Sequence, residues 1–253
     1  MKSIFILAKN TFQEMVREKF FLIVIFVSCL LLGVSLLLGS LSFDEQKRIL
    51  IDLGFAAIEL SAFGIAVFSG SFVISREIEK QTCLVLLAKP LSRGQFLIGK
   101  WLGISFLVTT TISILSLMLF VLLQQNEFYL TFMAITVSLW MKTLVILAIV
   151  FFMSCLVRPV FCLLFGMTIY LLGHWLNDLQ FFALKTKDDL VISLFNIVHE
   201  ITPNFYRFNW KSYHFLEAGI PFKDFATMIF HLSLWIAIFI FLSVQLFRRK
   251  DIV

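Results

Sequence analysis

The sequence predicts an all-α membrane protein that crosses the bilayer six times. Of its 253 residues, 60% are hydrophobic and only 15% are charged, whereas a soluble domain has about 45–50% apolar and about 25% charged residues. Six apolar runs each approach the ~20 residues that a spanning helix requires. This composition excludes a soluble enzyme, a disordered chain and a fibrous repeat. The remaining loops are too short to hold a full soluble catalytic domain.

The first 19 residues form a predicted amphipathic helix that precedes the first apolar run. Apolar side chains recur at helical spacing on one side, and Lys2, Lys9, Gln13 and Arg17 lie on the other. The charged lead is long and the apolar run after it is of full length, unlike a cleaved signal peptide. We therefore expect an uncleaved helix that lies on the membrane surface.

The six apolar runs and their links define a single predicted domain over residues 1–253, without an internal repeat. Residues 75–95 and 178–223 are the two longest predicted links. The predicted spans are 20–41, 54–74, 96–123, 130–156, 160–177 and 224–246.

The distribution of Lys and Arg predicts the orientation of these spans. Most of them flank the spans on the side of the N-terminus, with a cluster in residues 76–100 and another in residues 248–250. Since cytoplasmic flanks carry the excess of Lys and Arg, both termini are expected in the cytoplasm.

The link over residues 75–95 has the features of a short cytoplasmic helix. Ser75 is a candidate N-cap, Glu77 and Glu79 suit the first helical turn, and Pro90 would stop the helix. Residues 84–87 add an apolar patch. Such a helix would either dock into a groove on a cytoplasmic partner or form a solvated link on the lipid surface, and the residues alone leave both alternatives open.

The same link resembles a signature of ABC-2-type transporter permeases, which is roughly R-E-x-E-x-x-T, then L-L-x-x-P-x-S/P-R, then G-K. Here the stretches are residues 76–82, residues 86–93 and Gly99-Lys100, with Gln81 in place of the usual Gly. The layout of an amphipathic lead and six spans is also similar. A further segment, Pro203-Asn204-Phe205-Tyr206-Arg207-Phe208, is similar to the P-N-x-x-x-F pattern of the branch associated with copper-enzyme maturation.

The resemblance implies a permease in the bacterial inner membrane that forms a homodimer and binds two copies of a separate ATPase subunit. ATP and Mg²⁺ would be held by that subunit, and no cofactor is expected on this chain. Residues 75–90 would be the coupling helix, with residues 2–19 beside it as a connecting helix. The residues implied in ATPase coupling are Arg76, Glu77, Glu79, Leu84, Leu86, Leu87, Pro90 and Arg93.

Four polar residues in or beside the spans are candidates for a functional role, because ionisable groups in a bilayer are costly. Glu59 is predicted near the outer end of span two, where it would reach the interface or face the interior. Lys142, near the middle of span four, would snorkel to the surface, pair with Glu59 or Asp178, or contact an anionic substrate from an inward-facing position. His174 and Asp178 are four residues apart, which places them on one helix face.

The outer link over residues 178–223 is rich in aromatic residues and is the only sizeable predicted outer surface. Its rings would form either an interfacial belt or a docking platform for an extracytoplasmic partner or a lipid-like substrate. The residues selected for partner contact are Pro203, Asn204, Phe205, Phe208 and Trp210. The sequence contains no HxxxH or CxxC spacing, so we predict no metal site, and nucleic acid is not an expected partner.

Three functions are consistent with these features. The first is a permease subunit that couples ATP hydrolysis by a separate subunit to substrate export or to force transmission across the inner membrane. The second is a non-catalytic anchor of a larger membrane complex. The third is an intramembrane enzyme, for which the sequence offers no recognisable pair of nucleophile and base.

Overall fold

A computed structural model describes residues 2–41, 46–79, 92–123, 129–186, 190, 192–193, 203, 205, 209–210 and 221–249. Six helices in this part of the chain are long and apolar enough to cross a membrane. The all-α, six-span prediction is therefore confirmed. The helices are α1 (Lys2–Val16), α2 (Lys19–Leu41), α3 (Gln46–Glu79), α4 (Arg93–Leu123), α5 (Tyr129–Ser154), α6 (Pro159–Thr186) and α7 (Phe222–Arg249).

Local sequence signals explain where several of these helices begin. Pro159 is the first residue of α6, where its fixed φ suits a helix and its missing N–H is not required. Pro221 directly precedes α7, and Asp224 lies in the first turn of that helix. A carboxylate at this position interacts favourably with the helix dipole.

Two helices extend well beyond the spans predicted from hydropathy. Helix α3 begins at Gln46 and ends at Glu79, so it includes the polar residues on both sides of the predicted span 54–74. Helix α6 continues to Thr186, into the predicted outer link. Hydropathy marks the apolar part of a helix, but backbone hydrogen bonds continue until a turn or proline stops them.

Helix α5 lies at the centre of the bundle, and α3, α4, α6 and α7 all pack against it. Within its most apolar window, 78% of the residues are buried. Helix α2 packs on α3, and α1 packs on α4. We call the end of the bundle that holds α1, the last turn of α3 and the first turn of α4 the Glu79 end, and the opposite end the Gln46 end.

The outer helices expose apolar side chains along the length of their spans. Only 17%, 22% and 11% of the span windows of α2, α6 and α7 are buried. Exposed examples include Phe26 on α2, Phe161 on α6 and Phe230 on α7. Apolar surfaces of this extent are unfavourable in water, so lipid or another protein must cover them.

Candidate functional site

The acidic start of the predicted coupling segment is a continuation of the membrane helix α3. The backbone of this helix includes Ser75, Arg76, Glu77 and Glu79. A capping serine would have non-helical dihedral angles, so the expectation that Ser75 starts a new helix is corrected. The physical reason is that residues 75–79 include neither Pro nor Gly, and nothing in them interrupts the helix.

The rest of the predicted coupling segment lies outside the described residues, and this includes Leu84, Leu86, Leu87 and Pro90. The chain is described again from Ser92, where helix α4 is about to begin. Ser92 Oγ accepts a hydrogen bond from the Gln95 amide at 3.2 Å, and Gln95 Oε1 accepts one from the Ser92 amide at 3.2 Å. This is a capping box, and the Ser-x-x-Gln spacing in the sequence would have predicted it.

The first turns of α4 are attached to the end of α7. Arg93 Nη1 donates a hydrogen bond to the carbonyl oxygen of Arg248 at 3.2 Å. The rings of Phe96 and Phe247 stack with centroids 6.0 Å apart, and both side chains are buried. Arg93 was selected from the sequence for contact with an ATPase. In the structure it connects two helices at the Glu79 end, and its contact with an ATPase stays a prediction.

On its other side, α4 is packed tightly against α1. A Cβ atom added at Gly103 would lie 2.6 Å from Cβ of Thr11 and 2.7 Å from the carbonyl oxygen of Ala8, and one at Gly99 would lie 2.7 Å from Cδ2 of Leu7. The two glycines thus form a groove for the Leu7–Thr11 face of α1. The amphipathic helix predicted to lie on the membrane surface is therefore docked on the bundle, with Phe5 and Ile6 exposed.

An ion pair connects the same two helices. Lys100 Nζ lies 3.4 Å from Oε2 of Glu14, and the Lys100 side chain is 4% exposed while that of Glu14 is 46% exposed. A buried ammonium requires such a partner, because desolvation of an unpaired charge is costly. The Glu79 end therefore consists of α3, α4, α1 and α7 joined by polar and apolar contacts, and a displacement of the start of α4 would also move α1 and α7.

A second polar feature lies inside the bundle, where α3 meets α6. Glu59 Oε1 is 2.9 Å from His174 Nε2, and His174 Nδ1 is 3.0 Å from the carbonyl oxygen of Tyr170. A carbonyl can only accept, so Nδ1 carries a proton. The hydrogen bond between Nε2 and Oε1 requires one further proton between these two atoms. Each polar group of the pair thus has a partner in the bundle, where an unpaired polar group would be costly.

The Glu59 side chain lies inside the bundle. It is about 20 Å along α3 from Gln46 and only 12% exposed. Burial favours the alternative in which it faces the interior, and its position near the outer end of span two stays a prediction. Glu59 and His174 were selected separately from the sequence, and the structure joins them.

The other two intramembrane candidates occupy neighbouring helices. Lys142 lies in the middle of α5 and is 3% exposed, which places its side chain in the bundle interior and not on a path to the surface. Asp178 belongs to α6, and its side chain lies outside the described residues.

The outer residues selected for partner contact are mostly inside the fold where they are described. Pro203, Phe205 and Trp210 are all buried, and a side chain at Gly173 would overlap the Phe205 ring. The Trp210 ring packs 6.0 Å from that of Phe225 on α7. Phe205 therefore contacts α6 and Trp210 contacts α7, while the selection of these residues for partner contact stays a prediction. Asn204 and Phe208 lie outside the described residues.

The match to a known family identifies the kind of protein that has these features. A family model described as ABC-2 family transporter protein matches residues 5–252. The chain belongs to the ABC-2 transporter family. No curated protein matches the sequence.

Membership of the ABC-2 family makes this chain a membrane protein of transport, consistent with a permease subunit, and ABC-2 permeases generally pair with an ATPase subunit. Both ring nitrogens of His174 have a hydrogen-bond partner, Glu59 for Nε2 and the Tyr170 carbonyl for Nδ1. Among the described residues, no three His, Cys, Asp or Glu side chains are grouped to hold a metal ion.

Proposed function

We propose that this chain is the permease subunit of an ATP-driven transporter in the bacterial inner membrane, with both termini in the cytoplasm. The Glu79 end then faces the cytoplasm and receives a separate ATPase subunit, which holds ATP and Mg²⁺. Family membership supports the pairing with an ATPase. The excess of Lys and Arg in the flanks of this end supports the orientation.

The observation that supports the proposal most directly is the way in which α3 and α4 flank residues 80–91 of the coupling segment. Helix α3 runs without interruption from the membrane to Glu79, and α4 starts in a capping box at Ser92. Both helices are packed in the bundle. A push on residues 80–91 would therefore be passed to rigid helices, as coupling requires.

A second copy of the chain completes the proposed transporter. Helices α2 and α6 expose apolar faces, and a homodimer would cover part of them, as lipid covers the rest. ATP-driven closure of two ATPase subunits would tilt the two copies against each other. The result would be export of a substrate or transmission of force to an outer partner.

Residues 203–210, which we call the outer segment, add a more specific assignment to the proposal. The P-N-x-x-x-F pattern from Pro203 to Phe208 supports a place in the branch associated with copper-enzyme maturation. In this account an extracytoplasmic partner contacts the segment that Phe205 and Trp210 attach to α6 and α7.

The proposal is tested by purifying the tagged chain from its native membrane in mild detergent, identifying co-purifying proteins and measuring ATP hydrolysis. We expect an ATPase subunit in the wild-type preparation and weaker association or uncoupled hydrolysis in the Glu77→Ala/Glu79→Ala variant. The matched control is Asp52→Ala/Asp224→Ala, which removes two exposed carboxylates at the Gln46 end and should have no effect.

The alternative functions predict other results. If the chain is purified without an ATPase, and the Glu77/Glu79 variant behaves as the wild type, then the coupling assignment is wrong. The anchor function would then explain the data better.

A further inference from the structure

We propose that the Glu59–His174 hydrogen bond makes α6 and the outer segment follow the movement of α3. This inference rests on the proposed function, in which α3 is the helix that leaves the coupling segment for the membrane. Glu59 and His174 would be positioning residues, since neither is required to touch a substrate or the ATPase. Three features of the molecule support this coupling, namely the register of α3 against α6, the low burial of α6 and the attachment of Phe205.

The two helices meet along an antiparallel seam in which contacts recur every four residues on both sides. Glu59 is bonded to His174, and one turn further the rings of Phe63 and Tyr170 stack with centroids 4.1 Å apart. After another turn, a Cβ added at Gly166 would lie 3.1 Å from Cγ1 of Val67. Residues four apart lie on one helix face, so the seam has a single register over three successive levels.

The hydrogen bond is the directional contact among these three. The stacked rings and the Gly166 contact also match this register, but burial itself is non-directional. Sliding α6 by one turn would separate Glu59 from His174 by about 5 Å and break their bond inside the bundle, where an unpaired polar group is costly. The bond therefore adds a directional contact that favours this register over one displaced by a turn.

Helix α6 depends strongly on this seam. Its described buried residues over the span are few, namely Cys162, Gly166, Gly173 and Leu176. The helix packs against α3 and α5 and exposes much of its remaining surface. A helix that is so little buried keeps its position through a small number of specific contacts.

The outer segment is attached to α6 beside the same pair. Gly173 leaves room for the Phe205 ring, whose centroid lies 6.1 Å from that of His174, and Phe205 is fully buried. A movement of α3 that carries His174 would thus carry Phe205 as well. The path runs from Glu79 through α3 to Glu59, then to His174 and to the outer surface.

The test measures the distance between α3 and α6 with two spin labels on unnatural amino acids, so that the native cysteines stay in place. The labels replace Leu53 and Phe181, which are both exposed. Glu59→Leu removes the hydrogen bond, whereas Glu59→Gln is the matched control, because its amide can donate to Nε2 of the neutral imidazole. His174→Phe removes the same bond while retaining a ring. It provides an independent test if Glu59→Leu does not fold.

For the full-length chain alone, we expect one distance population in the wild type and in Glu59→Gln. In Glu59→Leu and His174→Phe we expect a second population, at a distance that differs from the wild type by less than the axial slip of about 5 Å per helical turn, because the two labels lie at nearly the same level of the seam. The inference would be overturned if the distance distributions of Glu59→Leu and His174→Phe both matched that of the wild type. This measurement needs no ATPase, so its failure is distinct from a failure to co-purify one.

In the complex with the ATPase, ATP should leave the wild-type distance unchanged, because α3 and α6 move together. In the non-bonding variants ATP should shift it, while ATP hydrolysis continues. A wild-type distance that changes with ATP as much as in the variants would contradict the inference.

Discussion

The Phe205 ring lies directly against Gly173, in space that any larger residue at position 173 would fill. Phe205 is fully buried there, although it belongs to a segment that hydropathy assigns to the outer surface. Its position next to His174 joins the outer segment to the α3–α6 seam. This contact therefore has consequences both for stability and for the proposed transmission of movement.

Replacing Gly173 with Ala should destabilise the protein. The added methyl group overlaps the Phe205 ring, and overpacking costs about 1–3 kcal/mol, against a gain in helix propensity of up to about 1 kcal/mol. We expect a lower melting temperature in detergent. Gly33→Ala is the control, because a Cβ there meets nothing within 4 Å, and its melting temperature should stay the same or rise. Equal behaviour of the two variants would contradict the proposed contact.

Replacing Gly103 with Ala should detach α1 from α4. The new Cβ would lie 2.6 Å from Cβ of Thr11 and 2.7 Å from a backbone oxygen of α1, and a backbone atom cannot rotate away. We expect faster hydrogen exchange of the amides in residues 2–16, measured by mass spectrometry. Gly64→Ala, where a Cβ also meets nothing within 4 Å, should leave the exchange unchanged. Slow exchange of α1 in Gly103→Ala would show that the helix is not held by this groove.

The Lys100–Glu14 pair should respond asymmetrically to loss of either partner. Glu14→Gln removes a negative charge beside an ammonium that is 4% exposed, and we expect a lower melting temperature, because that charge offsets part of the desolvation of the ammonium. Lys100→Met removes the buried charge and leaves Glu14, which is 46% exposed, in contact with water, so the cost should be smaller. The losses of stability are compared by measuring the melting temperatures of the two variants. A larger loss in Lys100→Met would contradict this account of the pair.

Replacing Ser92 with Ala should loosen the first turn of α4. The substitution removes the hydroxyl that accepts the Gln95 amide, and loss of such a cap costs about 1 kcal/mol. We expect faster exchange of the Gln95 amide and weaker coupling of ATP hydrolysis, since this turn follows the coupling segment. Ser92→Thr retains a hydroxyl and should resemble the wild type. If Ser92→Ala also exchanges as slowly as the wild type, the capping box does not stabilise this turn.

The sequence was sufficient for the helical spans and for the family, because both depend on local signals. Apolar runs mark the spans, and residues 76–100 carry the family pattern. The capping box at Ser92 was also visible as Ser-x-x-Gln, although its significance became clear only with the start of α4. The spacing of Gly99 and Gly103 is typical of a close helix contact, but nothing in it identifies α1 as the partner.

The Glu59–His174 pair could not be deduced in the same way. The two residues are 115 positions apart, and their contact depends on which helices are neighbours and on the register of the α3–α6 seam. Both are properties of the packed bundle. The buried positions of Phe205 and Trp210 had no sequence signal either, because aromatic residues suit an interfacial belt equally well.

The most direct test of the central claim is to locate the ATPase on this chain in native membranes. A photo-crosslinking amino acid is placed at Glu77 in one variant and at Asp52 in another, and covalent products are identified after illumination. The account predicts a crosslink from position 77 to an ATPase subunit, with a yield that changes on addition of ATP, and none from position 52. A crosslink from position 52 alone, or no ATPase product from either position, would contradict it.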